Sequence, residues 1–525
     1  MTADHKIAWS TFAPVGREQE LLVDAYASGW VSGGAYVERL ERELSSLFPG
    51  SEAFAVANGT AALQLAFQVL GLQPGDRVIV PSFCFQAAGN VLVQLGAIPI
   101  FCDCDPLTWN QSVETIARAH AATQAVGVVV VHNYGLAAPI AEIAAWAREQ
   151  GVWVIEDCAE AWFSRYRGQL LGTFGTLATF SMHATKTISC GEGGVVLLNE
   201  PSLARRLRLL RSHGLDRAHR HYLHALAGNN YRLSNLLAAV AVAQLEGREA
   251  LVQRQDENAL RYLRQLEGHD LVSTQQALRD ADNRIWALAV QIDFARLSID
   301  RDDMIAELRL RGIETRPGFY PASAHDYYPA RTVIHDCVAA KVSSEVIALP
   351  CPLGVQGDEI DHIVTTLFAV IDAHRHVDAQ TVIVRSGAAE FRARVGAFAE
   401  GLKEGRSTFR YFMSRSPEVI RNHATTMLVE SGGRDVAYGH LDEEAGVTWL
   451  GIAVADGLTG RGWGRVVMRE LITDAARLGI STLRLRVDRD NAPAQQLYRQ
   501  FGFEVVEIGT DAVTMSKSVE PIEVA

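Results

Sequence analysis

Phe180-Ser181-Met182-His183-Ala184-Thr185-Lys186, followed by Gly191-Glu192-Gly193-Gly194, is the stretch that decides the fold, with Ile155-Glu156-Asp157 one strand and loop upstream. A lysine, an upstream aspartate and a serine placed to hold a phosphate are the parts needed to hold pyridoxal 5′-phosphate (PLP). Lys186 supplies the Schiff-base nitrogen. The Asp157 carboxylate keeps the pyridine nitrogen protonated, so that the ring acts as an electron sink.

Around this stretch, apolar strands alternate with helical patterns. Ala53-Phe54-Ala55-Val56 precedes a helix over 60–70, and Arg77-Val78-Ile79-Val80-Pro81 follows it. Gly127-Val128-Val129-Val130-Val131 precedes a helix over 140–150, and Val152-Trp153-Val154-Ile155 comes next. Continuous β-branched runs belong to strands buried on both faces, so the pattern predicts an α/β fold, a mostly parallel sheet with helices on both sides. Working residues of such sheets lie just past the strand C-termini, where Asn58-Gly59-Thr60, Pro81-Ser82-Phe83, His132-Asn133 and Asp157 stand. Gly59 and Thr60 open a helix, and N–H groups at a helix start suit a phosphate, with the Ser181 hydroxyl opposite. Phe85 is placed to stack on the pyridine ring.

A helical stretch over 233–266 leads to a smaller C-terminal lobe that ends near Ile371. Residues 1–373 are read as the front domain, 374–380 as a polar, histidine-rich linker, and 381–525 as a second domain. That domain is expected to begin with helices to about His423 and to continue in strands.

The chain has 525 residues, 48% hydrophobic and 21% charged, with a formal charge of −12. This composition fits a globular protein of two or more domains and argues against a phosphate-backbone binder, so no nucleic-acid partner is expected. No apolar run approaches the roughly 20 residues of a membrane span, and a cytoplasmic protein is expected. Seven cysteines without a CxxC pair or zinc-type spacing are read as reduced and structural, with no metal site.

Residues 7–372 closely resemble the DegT/DnrJ/EryC1/StrS sugar aminotransferases, which are fold-type I PLP enzymes. The matching runs include Ser28-Gly29-Trp30-Val31-Ser32-Gly33-Gly34, Ala57-Asn58-Gly59-Thr60-Ala61-Ala62-Leu63, Val131-His132-Asn133-Tyr134-Gly135, the Asp157 and Lys186 segments, and Asn229-Asn230-Tyr231-Arg232-Leu233-Ser234. The resemblance implies that Lys186 carries the proton between cofactor and amine carbon, and that Asp157 pairs with the pyridinium. Ser181, Gly59 and Thr60 would hold the phosphate. Asn230 would reach the phosphate of a neighbouring subunit, so a homodimer is implied. Glu160 stands where many relatives carry Gln or His beside the cofactor's phenolic oxygen, a departure that places a charge there. His183, three before the lysine, is the residue that enzymes aminating C4 of a 4-keto sugar often carry, whereas many C3 enzymes have Tyr.

In the second domain Gly460-Arg461-Gly462-Trp463-Gly464 follows a strand and opens a helix, a turn suited to a pyrophosphate. Leu483-Arg484-Leu485-Arg486-Val487 then reads as a strand, and Asn491 starts a helix carrying Leu497-Tyr498, closed by Phe501-Gly502-Phe503. Residues 380–518 resemble the GNAT acetyltransferases, α+β domains that use acetyl-CoA. The resemblance makes Tyr498 the acid that protonates the leaving thiolate. It assigns the acetyl carbonyl to backbone N–H groups of residues 452–455, Ile452 and Val454 among them. Thr459 replaces the usual Arg or Gln at the loop start. The base is open among His440, Asp442 and Asp456.

The two resemblances together imply two consecutive steps. A nucleotide-linked 4-keto-6-deoxyhexose would be aminated with L-glutamate as donor, and the resulting 4-amino sugar acetylated from acetyl-CoA. Alternatives are a 3-keto sugar or cyclitol substrate, or a PLP-binding regulator with a non-catalytic CoA-binding domain.

Overall fold

The computed structural model describes residues 6–216, 222–329, 332–375, 382–385, 389–402, 423–431, 433–459 and 462–519. The chain divides into two compact units, Met1–Asp293 with Arg301–Ala369 and Phe294–Asp300 with Val370–Ala525.

Seven strands form the central sheet of the first unit: β1 (Glu52–Val56), β2 (Arg77–Pro81), β3 (Ile98–Cys102), β4 (Gly127–Val131), β5 (Trp153–Asp157), β6 (Leu177–Ser181) and β7 (Gly194–Leu198). Their order is β1-β7-β6-β5-β4-β2-β3, and only β7 runs against its neighbours. Successive residues of each strand enter different cores. Val128, Val130 and Val154 join one cluster, and Val129, Val131 and Ile155 join the other. Two buried faces account for the unbroken apolar runs that mark these strands in the sequence. The C-terminal ends of β1, β2, β4, β5 and β6 share one edge, and Gly59, His132, Asp157 and Ser181 gather there.

The helical stretch read over 233–266 is two helices, Asn235–Glu246 and Arg248–Leu266, broken at Gly247. There the Cβ of any larger residue would lie 2.6 Å from Val15 Cβ. The smaller lobe holds a four-stranded sheet of β8 (Val272–Thr274), β9 (Ala289–Ile292), β10 (Arg316–Pro317) and β11 (Val346–Ala348), in the order β8-β9-β11-β10. Its last helix, Gly357–His374, takes in His374, which the sequence reading gave to the linker. Residues 376–380 of that linker lie outside the described residues.

The second unit has a sheet of β12 (Val382–Arg385), β13 (His423–Ser431), β14 (Arg434–Glu444), β15 (Val447–Val454), β16 (Thr482–Asp488), β17 (Glu504–Ile508) and β18 (Ala512–Ser518), ordered β12-β13-β14-β15-β16-β18-β17. All pairs are antiparallel except β15–β16. The helix Trp463–Arg477 covers one face, where Gly439 leaves room for Val467 and Leu471. The helix Ala389–Gly401 covers the other, packing Phe391, Val395 and Phe398 on Leu428 and Tyr438.

β12 corrects the expectation that this domain opens with helices. Val382-Ile383-Val384 is a β-branched run too short to show a period, and it adds an edge strand to β13. Arg385 fixes it through Glu470 (2.6 Å) and Asp474 (3.0 Å). Of the helices expected up to His423, Ala389–Gly401 is present, and residues 403–422 lie outside the described residues.

Gly135, just past β4, has φ +97°, and a Cβ there would stand 2.1 Å from the Arg284 carbonyl oxygen. Gly135→Ala is therefore expected to destabilise the first unit by about 3 kcal/mol. Chemical denaturation of the two proteins measures it, and a loss under about 1 kcal/mol would overturn the expectation.

Candidate functional site

Asp157 and Glu156 end β5, and their side chains leave the sheet in opposite directions. The Glu156 carboxylate is fully buried and accepts the N–H groups of Gly172 (2.8 Å), Phe174 (2.7 Å) and Gly175 (2.8 Å). It also faces His132 Nε2 at 3.4 Å. His132 Nδ1 accepts the Ala138 N–H, so Nε2 carries the hydrogen that points at Glu156. Glu156 is thus an anchor for the loop after β5.

Asp157 is buried at the sheet edge, where Oδ1 accepts the Ala159 N–H (3.1 Å) and the Thr179 hydroxyl (3.4 Å). Burial pushes its carboxyl above the usual range, while the Ala159 N–H and the nearby Lys186 amine pull it back.

Lys186 lies on the loop between β6 and β7, which closes through Met182 N to Gly193 O (2.8 Å) and Ala184 N to Gly191 O (2.9 Å). Its side chain is only 12% exposed. Nζ sits 3.6 Å from Glu160 and 3.4 Å above the centre of the Trp286 ring. Burial lowers the amine below an ordinary lysine, and the Glu160 carboxylate opposes that shift. Glu160 itself is raised by burial, with Lys186 and the Tyr134 N–H acting against it. A lowered lysine is a larger fraction of neutral amine, the form that attacks a carbonyl.

The helix Gly59–Leu70 is capped by Asn58, whose side chain accepts the Ala61 N–H. A Cβ on Gly59 would be 3.1 Å from Ser181 Cβ, so the helix start and the serine adjoin. Ser181 Oγ accepts the His183 N–H (3.2 Å). Lysine, aspartate, glutamate, serine and helix start are thus gathered at one sheet edge, with donors for a phosphate and a carboxylate for a ring nitrogen. This set fits PLP.

Thr60, Phe85, His183 and Asn230 are exposed in the single chain. Phe85 is 67% exposed, and Asn230 forms an isolated bridge with Ser212. His183 Nδ1 lies 3.1 Å from the Thr185 hydroxyl. Sequence reasoning missed Trp286 and Cys351, which line a pocket against Lys186 together with Ser10, Phe12 and Gln244. These positions come from remote parts of the chain, and no local pattern marks them.

In the second unit β15 pairs with β16 only at Thr448–Leu483 and Trp449–Arg484. Beyond that point the two strands are unpaired with one another. Residues 450–454 therefore present backbone groups to the gap, and Ile452 and Val454 lie on this stretch. The helix Trp463–Arg477 begins after Gly462 (φ 81°) with no side-chain cap, which leaves its first turn suited to an anion. Gly464 comes close to Leu497 (3.2 Å from an added Cβ) and to Ile452 and Val454. Thr459 is exposed at the loop start, while Gly460 and Arg461 lie outside the described residues. Asn491 caps the helix Ala492–Gln500 by accepting the Ala494 N–H (3.1 Å). Tyr498 on that helix is buried, and burial pushes its phenol up to about 12. His440 and Asp442 are buried on β14, and the His440 ring stacks on His423 at 4.6 Å.

Residues 15–368 match the DegT/DnrJ/EryC1/StrS aminotransferase family, and residues 397–503 match the acetyltransferase (GNAT) family. A GDP-perosamine synthase of Escherichia coli O157:H7 is 34% identical over 349 residues, covering 66% of this chain and 94% of that protein. One from Vibrio cholerae is 36% identical over 315 residues, 60% of this chain and 84% of the relative. Among solved structures, the aminotransferase TlmJ from Streptoalloteichus hindustanus superposes with a TM-score of 0.66 at 26% identity, covering 70% of this chain and 99% of its own.

Glu156→Gln keeps the shape of the anchor but turns an acceptor oxygen into a donor against buried N–H groups. It is expected to destabilise the first unit by about 3 kcal/mol. Urea unfolding is the check, and a change within about 0.5 kcal/mol would show that Glu156 anchors nothing.

Proposed function

The chain belongs to the DegT/DnrJ/EryC1/StrS aminotransferase family and carries a GNAT domain behind it; from that premise we propose a bifunctional nucleotide-sugar enzyme. Its front domain converts a nucleotide-linked 4-keto-6-deoxyhexose to the 4-amino sugar with L-glutamate as donor. Its back domain transfers acetyl from acetyl-CoA to that amine. The observation that carries the proposal is the conjunction on one chain of an amine-making family and a family that consumes amines. Relatives named for making GDP-perosamine support a GDP-linked sugar. His183 supports reaction at C4.

Members of the family act with PLP, which when bound supplies an electron sink for the carbon bearing the amine. In this proposal Lys186 joins the cofactor and carries a proton at Nζ. Asp157 holds the proton of the ring nitrogen, and Glu160 lies by the phenolic oxygen. Gly59, Thr60 and Ser181 hold the phosphate, Asn230 reaches it from the partner in a homodimer, and Phe85 covers the ring.

A GNAT domain implies an acyl-CoA. We assign its pyrophosphate to residues 459–464 and the acyl carbonyl to the N–H groups of Ile452 and Val454. Asn491 fixes the start of the helix that carries Tyr498. Tyr498 gives its proton to the departing thiolate, and a phenol raised to about 12 keeps that proton throughout the working range. Amino transfer is nearly reversible and amide formation is not, so the second step draws the first forward. A covalent tether also raises the local concentration of the intermediate.

The direct test incubates the purified protein with GDP-, dTDP- and UDP-linked 4-keto-6-deoxyhexoses, L-glutamate and acetyl-CoA, following the sugars by mass spectrometry. The acetamido sugar is expected, stalling at the amine without acetyl-CoA. A C3-amino product would overturn the assignment drawn from His183. Lys186→Ala is expected to abolish amine formation while leaving acetylation of supplied amino sugar intact. Tyr498→Phe should slow acetylation about 10²-fold. Because the phenol is raised, the wild-type rate should show no loss from Tyr498 deprotonation until the pH nears 12. An acetylation rate unchanged in Tyr498→Phe would refute its role as the acid, and a descending limb near pH 9 that vanishes in this variant would show instead a phenol that burial does not raise.

A further inference from the structure

Two groups bracket the free amine of Lys186, and both are fixed by bonds independent of it. Trp286 is 7% exposed; its Nε1 donates to the Thr185 carbonyl (2.6 Å) and its backbone N–H to the Tyr134 carbonyl (2.9 Å). Glu160 is 5% exposed, and its Oε2 accepts the Tyr134 N–H (2.8 Å), which leaves Oε1 toward the lysine. The N–H and C=O of one residue therefore hold the carboxylate and the ring. Tyr134 is rigid: it is buried, has φ 58°, and stacks on Phe319 at 4.9 Å with the rings 10° apart. Trp9 closes the outer side of Trp286, edge to face at 5.5 Å.

A lysine that joins a cofactor in one stage of an amino transfer is free in another. Its amine must then be held nearby, out of bulk water and in balance between its charged and neutral forms. We propose that Glu160 and Trp286, both pinned by Tyr134, form a seat that holds the free ε-amine of Lys186 while the lysine is detached. Both are positioning residues. The carboxylate sets how much of the amine is charged, and the indole face excludes water. Asp157 and Cys351 also face the amine, and the neighbouring Glu160 carries the largest charge effect on it. An uncharged side chain at position 160 would remove that balance, which makes the glutamate there a functional departure. The proposal rests on the reading of Lys186 as the lysine that joins the cofactor.

The chain's five lysines are Lys6, Lys186, Lys341, Lys403 and Lys517, so the test is peptide-resolved. Full-length protein freed of PLP is pulsed with trace deuterated acetic anhydride between pH 6 and 10, and the labelling of Lys186 is referred to exposed Lys341. Glu160→Gln is expected to lower the midpoint of Lys186 labelling by about one pH unit, raising the rate below it about tenfold. Its high-pH plateau should not change. Trp286→Leu is expected to raise the plateau several-fold by opening the wall, and Trp286→Phe to keep the wild-type plateau. An unchanged midpoint in Glu160→Gln, or a wild-type plateau in Trp286→Leu, overturns the seat. Should Trp286→Leu not fold, a wild-type midpoint in Glu160→Gln still does so. Borohydride reduction with PLP separates the two layers: no PLP adduct on Lys186 overturns the underlying reading, whereas an adduct with an unmoved labelling profile overturns the seat alone.

Discussion

Burying an ammonium beside two carboxylates is the constraint on which the front domain turns. Lys186, Glu160 and Asp157 are all nearly withdrawn from water, and an isolated charge there would carry a penalty of several kcal/mol. The penalty is offset because each group is held by neighbours. Asp157 takes the Ala159 N–H, Glu160 takes the Tyr134 N–H, and Lys186 takes Glu160 and the Trp286 face. Glu156, one residue from Asp157, ties down residues 172–175 of the loop after β5 with three backbone bonds. Adjacent residues of one strand thus divide the labour, one turned to chemistry and one to scaffold.

Much of this was legible in the sequence, for a physical reason. In a parallel sheet the reactive positions follow strand ends, so Gly59, Asp157, Ser181 and Lys186 each sit in a recognisable local pattern. Trp286 and Cys351 do not. They come from the smaller lobe, about a hundred residues or more downstream, and only tertiary packing brings them to the amine. Glu160 lies between these cases: its place was readable, but its contact with Tyr134 and Lys186 was not. In the second domain the capped helix at Asn491 and the strand Thr482–Asp488 were plain. The short run Val382-Ile383-Val384 reads as part of a helical stretch, because three residues cannot display a period.

The back domain solves a different problem, that of exposing backbone rather than burying charge. A sheet normally satisfies its N–H and C=O groups in ladders. Here β15 leaves β16 after Trp449, and the stretch with Ile452 and Val454 keeps polar backbone available beside a helix start. Gly464 lets that helix approach the same strand closely.

The edge strand Val382–Arg385 bears on where this domain begins. The family match starts at residue 397, yet the sheet starts fifteen residues earlier with a strand bolted by Arg385 to Glu470 and Asp474. A fragment cut at the match boundary would lose that strand and also Phe391 and Val395, which cover Leu428 and Tyr438. Its new outer strand, His423–Ser431, would offer an unprotected apolar edge to other copies of itself. The unit that can be transplanted, by gene fusion or in the laboratory, is therefore longer than the unit that sequence comparison detects.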